Sequence, residues 1–250
     1  MNETNPKEKA KIQLPCELTS YEFAGMIDHT LLKHEATVED IRKLCWEAMN
    51  YNFISVCVRP YYVQAAKQRT ETSNVKVCTV ISFDDEGTSI VKPDEAMRAI
   101  DYGADEIDIV MNYRALRNGY FNYARRDLES VIAVVKAKEK LAKVILETAA
   151  LSEHEITDAC RIVKASGADY VKTSTGKIQG ATPRTVDLMR YIVGDKFGVK
   201  ASGGIKTLED AIPIIAAGVP RRNAIGFFRL GTSSSVQIIE EYLKLIQEPA

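Results

Sequence analysis

Lys143-Val144-Ile145-Leu146-Glu147-Thr148 is a short run rich in branched apolar side chains; Ser152-Glu153-His154-Glu155 follows it, and Tyr170-Val171-Lys172-Thr173 closes the segment. The first and last runs have the length and composition of strands. The stretch between them, Glu153–Ala165, carries apolar residues at helical spacing. Ser152 with Glu155 has the pattern of an N-cap with an acidic third residue, and Gly167 stands at the helix stop. A strand, a helix and a second strand joined in this way form one parallel crossover unit.

The same unit recurs along the chain. Strands are predicted at Ile27–Leu31, Phe53–Val58, Lys76–Ile81, Glu106–Val110, Lys143–Thr148, Tyr170–Thr173, Gly198–Ala201 and Ala224–Leu230. Helices are predicted near Val38–Asn50, Tyr61–Arg69, Pro93–Tyr102, Tyr123–Lys140, Glu153–Ala165, Pro183–Val193, Leu208–Ala217 and Ser235–Gln247. Thr37 with Asp40 is a second N-cap signal, and Gly103 and Gly218 are further stops. Strict alternation predicts a parallel sheet, and eight units predict closure into a single-domain (β/α)8 TIM barrel. An open doubly wound sheet normally places a glycine-rich turn after its first strand, and Asp28-His29-Thr30-Leu31-Leu32-Lys33 has no glycine. No linker interrupts the pattern, so residues 15–250 read as one barrel behind a polar, flexible tail over residues 1–14.

The 250 residues are 46% hydrophobic and 27% charged, with a net charge of -1. That balance offers no global field for nucleic acid or an anionic membrane, so a phosphate needs a local site. No apolar run approaches the roughly 20 residues of a membrane helix, and residues 1–11 do not form a signal peptide. Cys16, Cys45, Cys57, Cys78 and Cys160 contain no CxxC pair, which points to a reduced, cytosolic chain. The histidines do not make a zinc pattern: His29 reads as packed, His34 and His154 as solvated. Trp46 and Tyr51 read as helix-face packing, and Cys57 as inert packing near the barrel mouth.

Barrel interiors are filled mainly by bulky branched side chains, so inward charges are informative. In Glu106-Ile107-Asp108-Ile109-Val110-Met111, the residues Ile107, Ile109 and Met111 share one apolar face, which turns Asp108 inward. The same alternation turns Lys172 inward beside Val171, and Lys200 inward beside Val199. Two lysines and an aspartate therefore converge on one mouth. They form either a structural ion network or a reactive set, in which like charge favours a neutral, nucleophilic amine. Ser174-Thr175-Gly176-Lys177, Ser202-Gly203-Gly204-Ile205-Lys206 and Gly231-Thr232-Ser233-Ser234 follow strands six, seven and eight. Such loops suit an anion, because glycine admits backbone N–H groups and a helix N-terminus adds its dipole.

Val171-Lys172-Thr173-Ser174-Thr175-Gly176, Val199-Lys200-Ala201-Ser202-Gly203-Gly204-Ile205 and Arg229-Leu230-Gly231-Thr232-Ser233-Ser234 resemble signature stretches of the deoxyribose-phosphate aldolase family. The stretch from Glu106 to Asn112 and that from Ile27 to Leu32 are similar too, and the likeness runs from about residue 20 to about residue 240. The resemblance implies a class I aldolase that reversibly cleaves 2-deoxy-D-ribose 5-phosphate to acetaldehyde and D-glyceraldehyde 3-phosphate without a metal or organic cofactor. It implies that Lys172 is the Schiff-base lysine, that Lys200 lowers its pKa and helps to shuttle protons, and that Asp108 handles the substrate hydroxyl through a water. Asp28 and Thr30 become site-lining residues, and Gly176, Lys177, Gly203, Gly204, Lys206, Gly231, Ser233 and Ser234 surround the phosphate. A sugar phosphate is then the partner, and a homo-oligomer is compatible with the reading. Phe83-Asp84-Asp85-Glu86-Gly87 departs from the family's usual Phe-Pro turn, and Lys206 stands where arginine is frequent. A Schiff-base aldolase for another sugar phosphate, or a non-catalytic barrel that binds a phosphorylated metabolite, remain as alternatives.

Overall fold

The computed structural model describes residues 18–84, 90–220 and 225–247. Eight parallel strands pair in chain order, and the eighth returns to the first to close a barrel. They are β1 (Ile27–Leu31), β2 (Ser55–Val58), β3 (Lys76–Ile81), β4 (Glu106–Val110), β5 (Leu141–Ile145), β6 (Tyr170–Lys172), β7 (Gly198–Ser202) and β8 (Phe228–Thr232). The TIM-barrel expectation is met. The expected tail over residues 1–14, Asp85, Glu86 and the expected strand start at Ala224 lie outside the described residues.

The helices follow the predicted order, with two additions. Short α1 (Ser20–Ala24) precedes β1, and its Thr19 cap exchanges hydrogen bonds with Glu22. Then come α2 (Val38–Tyr51), α3 (Val63–Thr70) and α4 (Val91–Asp101). A second short helix, α5 (Tyr113–Arg117), is capped by the Asn112 side chain. It leads into α6 (Phe121–Ala137), α7 (Glu153–Ala165), α8 (Pro183–Val193), α9 (Leu208–Gly218) and α10 (Ser235–Gln247). Thr37 and Ser152 form the expected capping boxes with Asp40 and Glu155. Gly103 and Gly167 take the left-handed backbone that ends a helix. Gly218 does not: it is the last residue of α9, and a Cβ there would strike the Phe228 ring.

Two strands have a boundary more than two residues from the prediction. β5 stops at Ile145 because Glu147, at φ 58°, turns the chain into a 3-10 segment over Thr148–Ala150. β8 starts at Phe228, after a 3-10 turn over Ile225–Phe227. Trp46 corrects another expectation: it is 58% exposed. The buried stripe of α2 is Ile41, Leu44, Cys45 and Ala48, and Trp46 is rotated off it. Tyr51 packs as expected, stacked on Phe53.

Two environments result. Between sheet and helices, Ile107, Ile109, Met111, Val171 and Val199 join one continuous apolar cluster, as alternation requires. Inside the barrel Asp28, Glu106, Asp108, Lys143, Lys172, Lys200 and Arg229 are buried together. Register sets Lys172 beside Lys200, Asp108 beside Lys143, and Lys200 beside Arg229. A smaller apolar group, Cys57, Cys78 and Val80 with Leu32 and Phe83, fills the β2–β3 side of the interior. In the layer below the lysines, Tyr170 lies opposite Gly198, and a Cβ on Gly198 would overlap its ring. Gly198→Ala should therefore destabilise the barrel by about 1–3 kcal/mol, seen as a lower urea midpoint; an unchanged midpoint would mean that the Tyr170 ring does not need this space.

Candidate active site

The C-terminal ends of the strands open into a cavity of about 520 Å³. Lys33, Arg59, Lys172, Lys177 and Lys206 line it, together with His34, and no carboxylate does among the described residues. Leu31, Leu32 and Phe83 make its apolar wall on the β1–β3 side. Three hydroxyl- and glycine-rich loops make the opposite wall. Thr175 and Gly176 come from the loop after β6, Ser202, Gly203 and Gly204 from the end of β7, and Gly231, Thr232 and Ser233 from the end of β8.

These loops are fixed by one another. Ser174 Oγ donates to the Ser202 carbonyl at 2.6 Å, and Ser202 Oγ donates to the Ser174 carbonyl at 2.7 Å. Thr173 Oγ1 accepts from the Ser202 N–H at 3.0 Å. Gly203, at φ +85°, lies so close to Gly180 that a Cβ on Gly180 would land on the Gly203 carbonyl. From beneath, Glu147 Oε2 accepts from the Thr175 N–H at 3.2 Å and the Thr175 hydroxyl at 2.5 Å. Thr232 Oγ1 accepts from the Ser234 N–H at 2.9 Å, so that donor is turned back into its own turn.

Lys172 is 3% exposed and forms the cavity floor. Its Nζ donates to Asp108 Oδ2 at 2.7 Å, and Lys200 Nζ donates to the same oxygen at 2.8 Å. Lys143 Nζ takes the other oxygen, Oδ1, at 3.0 Å. A second tier continues the network: Lys200 meets Asp28 at 2.5 Å, Lys143 meets Glu106 at 2.6 Å, and Arg229 bridges Asp28 and Glu106 at 3.6 Å each. Asp28, Glu106 and Asp108 thus face Lys143, Lys172, Lys200 and Arg229, a surplus of one positive charge in the interior. Loss of one ammonium proton would make the set neutral, and only Lys172 among the four cations opens on the cavity.

The titrations follow from this geometry. Burial pushes the Asp108 carboxyl up, but Lys143, Lys172 and Lys200 outweigh it and hold the group well below the ordinary range. Burial pulls Lys200 down, and Asp108 with Asp28 more than offsets that, holding its ammonium above its usual value. Lys143 is raised in the same way, against burial, first by Asp108. The Cys78 thiol is pushed well up, chiefly by burial, whereas a hydrogen bond from Cys78 lowers Cys57. Donor atoms of Cys57, Cys78 and Asp108 lie within 4.8 Å of one another. A cation placed among them would meet Lys143, 3.3 Å from Cys78 Sγ, and the ammoniums already on Asp108.

Of the residues singled out in the sequence, Lys172, Lys200 and Asp108 meet in one hydrogen-bonded set. Thr30, Gly176, Lys177, Gly203, Gly204, Lys206, Gly231 and Ser233 line the cavity above it. Two are placed differently. Asp28 is fully buried beneath Lys200 and reaches the cavity only through it, because its even-numbered neighbour Thr30 is one layer nearer the mouth. Ser234 is not among the lining residues; Ser233 is. Lys177 lines the cavity, but its ammonium donates to Asp84 at 2.8 Å and to the Phe83 carbonyl at 2.7 Å. Lys143, Glu106 and Arg229 join the site unannounced, although alternation applied along β4, β5 and β8 marks all three as inward. Glu147 carries no such signal. His29 is buried against Phe53 and bonded to Glu47, and His34 is exposed but lies 3.0 Å from Arg59 Nη2.

Comparison with known proteins adds a second line of observation. Residues 23–228 match the family model described as DeoC/LacD family aldolase. A deoxyribose-phosphate aldolase of Caldicellulosiruptor saccharolyticus is 47% identical over 227 residues, covering 90% of this chain and 100% of that protein. A crystal structure of a candidate deoxyribose-phosphate aldolase from Coccidioides immitis superposes with a TM-score of 0.83 at 38% identity, covering 94% of this chain and 92% of that one. The deoxyribose phosphate aldolase of Aeropyrum pernix, described as tetrameric, gives a TM-score of 0.81 at 33% identity over 91% and 93% of the two chains.

Asp28 provides a direct probe of the buried network. Burial pushes its carboxyl up, but Lys200, Lys143 and Arg229 overcome this and leave it below its ordinary value. A carboxyl depressed by folding stabilises the native state above its unfolded pKa, about 3.9, and that contribution is lost as pH falls through the folded value. The stability deficit of Asp28→Asn in urea unfolding should therefore be full above about pH 5 and shrink steadily below about pH 4. A deficit that stays constant into acid would mean that Asp28 is not ionised in the folded barrel.

Proposed function

Because this chain belongs to the DeoC/LacD family of aldolases, we propose that it cleaves 2-deoxy-D-ribose 5-phosphate reversibly to acetaldehyde and D-glyceraldehyde 3-phosphate through a Schiff base on Lys172. The observation that carries the proposal is the placing of Lys172 Nζ: on the floor of a cation-lined cavity, and on a carboxylate oxygen it shares with Lys200.

A neutral amine is what carbonyl attack requires, and Lys172 is the interior cation whose ammonium opens on the cavity. Lys172 Nζ adds to C1 of the open-chain aldehyde, and loss of water gives a protonated imine. Removal of the C3 hydroxyl proton lets the C2–C3 bonding electrons move towards the imine nitrogen. Glyceraldehyde 3-phosphate departs, and the enamine takes a proton at C2 before water releases acetaldehyde. Asp108 is a weak base while three ammoniums surround it. When Lys172 gives up its proton, Asp108 loses one of these partners and becomes the better proton acceptor. The charge returns with the iminium, which Asp108 Oδ2 stabilises. It is discharged as C2–C3 cleavage turns the iminium into a neutral enamine, so Asp108 takes up the C3 hydroxyl proton as that bond breaks. Lys200, held charged by Asp108 and Asp28, supplies a fixed positive field rather than an exchangeable proton.

The phosphate fits the wall formed by the loops after β6, β7 and β8. Gly176, Gly203, Gly204 and Gly231 let backbone approach an anion, Ser233 stands just before the N-terminus of α10, and Lys206 adds a charge. The apolar wall of Leu31, Leu32 and Phe83 is left for the methyl end of the product aldehyde. The four described cysteines are free, in keeping with a reducing compartment, and no helix among the described residues is long and apolar enough to cross a membrane. The Aeropyrum pernix relative is tetrameric, and self-association of this chain is part of the same proposal.

Borohydride reduction in the presence of acetaldehyde should place one ethyl group on Lys172 and abolish turnover. Peptide mapping decides it: an adduct on Lys200 or Lys143 instead would reject the assignment of the nucleophile. Ser233→Asp should set a carboxylate against the phosphate. It should lower kcat/KM for deoxyribose 5-phosphate by at least about tenfold, a cost of roughly 1.4 kcal/mol, while sparing unphosphorylated deoxyribose. Equal losses on the two sugars would mean that this wall does not hold the phosphate.

A further inference from the structure

Asp84 touches the site from outside. Its carboxylate accepts from Arg59 Nη1 at 2.8 Å and Nη2 at 3.3 Å, and from Lys177 Nζ at 2.8 Å. Both cations line the cavity, whereas Asp84 does not. Arg59 is otherwise pinned: its Nε donates to the Leu32 carbonyl at 2.8 Å, and only 17% of its side chain is exposed. The Phe83 ring lies against both, with the Arg59 guanidinium 5.7 Å and the Lys177 ammonium 4.5 Å from its centroid. One short segment, Phe83-Asp84, thus gathers the cations of the β2 and β6 loops.

We propose that Asp84 is a specificity-determining residue: by occupying Arg59 and Lys177 it withholds both from a second anionic group on the substrate, so the cavity selects aldehydes that are uncharged apart from their phosphate. The inference rests on the reading of Lys172 as the carbonyl-binding lysine. A cavity lined by five cations and no carboxylate would otherwise attract any dianion, including oxo acids whose carboxylate sits beside the carbonyl. Asp84 divides the lining. Lys206 and the glycine-rich loops serve the phosphate on one side, and on the opposite side the Asp84 charge is shared by Arg59 and Lys177 from behind. The hydrogen bonds from Arg59 and Lys177 also hold the Asp84 carboxyl below the ordinary carboxylate range, so it stays charged throughout the working pH range.

Glycolaldehyde and glyoxylate test this, because they differ at one carbon, CH2OH against COO⁻. Each accepts the enamine of acetaldehyde: a carbon–carbon bond forms at the aldehyde carbon, and its oxygen takes up a proton. With inorganic phosphate added to fill the phosphate wall, the glyoxylate-to-glycolaldehyde ratio of kcat/KM should rise about fivefold in Asp84→Asn, the scale of one partly exposed ion pair. Asp84→Glu should keep the wild-type ratio, and Arg59→Met with Lys177→Met added to Asp84→Asn should erase the gain. A turnover-free readout runs alongside: malonate, titrated calorimetrically under the same phosphate, should bind Asp84→Asn more tightly than wild type by a similar factor. An unchanged ratio and unchanged malonate affinity in Asp84→Asn would overturn the proposal, as would a gain that survives the removal of both Arg59 and Lys177. Failure of wild type to join acetaldehyde to either acceptor would instead reject the aldolase reading, and malonate would still decide the role of Asp84.

Discussion

A single buried carboxylate holds the interior of this barrel together. Asp108 has no solvent exposure, and each of its oxygens is claimed by a lysine from another strand: Lys143 on β5, Lys172 on β6 and Lys200 on β7. Three ammoniums so close together would repel one another strongly without it. With it, β4 to β7 are joined across the interior as well as through their backbone ladders. The same arrangement creates the chemical asymmetry of the site. Lys200 and Lys143 are each tied to a second carboxylate, Asp28 and Glu106 respectively, whereas Lys172 relies on Asp108 alone and faces the open cavity.

Much of this could be read in the residues before any coordinates. Period-two alternation turned Asp108, Lys172 and Lys200 inward, and parallel register then made Lys172 and Lys200 neighbours. Capping signals at Thr37 and Ser152 fixed two helix starts to the residue. Some misses depend on partners distant in the chain, and others on local backbone. Nothing local to Asp28 says that Lys200 will cover it, and nothing local to Asp84 says that Arg59 and Lys177 converge there. Glu147 ends β5 through its own left-handed backbone, which a run of apolar residues around it conceals. Trp46, expected to pack on a helix face, is one residue off the buried stripe of α2.

The two walls of the cavity are stiff for different reasons. On the β6–β8 side, serine and threonine hydroxyls bond to backbone across strand ends, so the donors offered to an anion are held before it arrives. On the β1–β3 side, contact is between side chains: Phe83 under two cations, Asp84 between them, Leu32 packed against the thiol cluster. The first wall is built of main chain and the second of replaceable groups.

That difference bears on how such a barrel can be diversified. Gly180 and Gly203 meet backbone to backbone, leaving no room for a single methyl group between the loops after β6 and β7. Insertions or side-chain variation there would push apart the strand ends that carry Lys172 and Lys200, so neither loop can drift independently of the other. Among the described residues, the rim that carries Phe83, Asp84 and Arg59 meets the β6 loop through the Lys177 side chain rather than backbone to backbone. Selection, natural or in the laboratory, can therefore explore new aldehydes along the β1–β3 rim while the lysine pair stays in place.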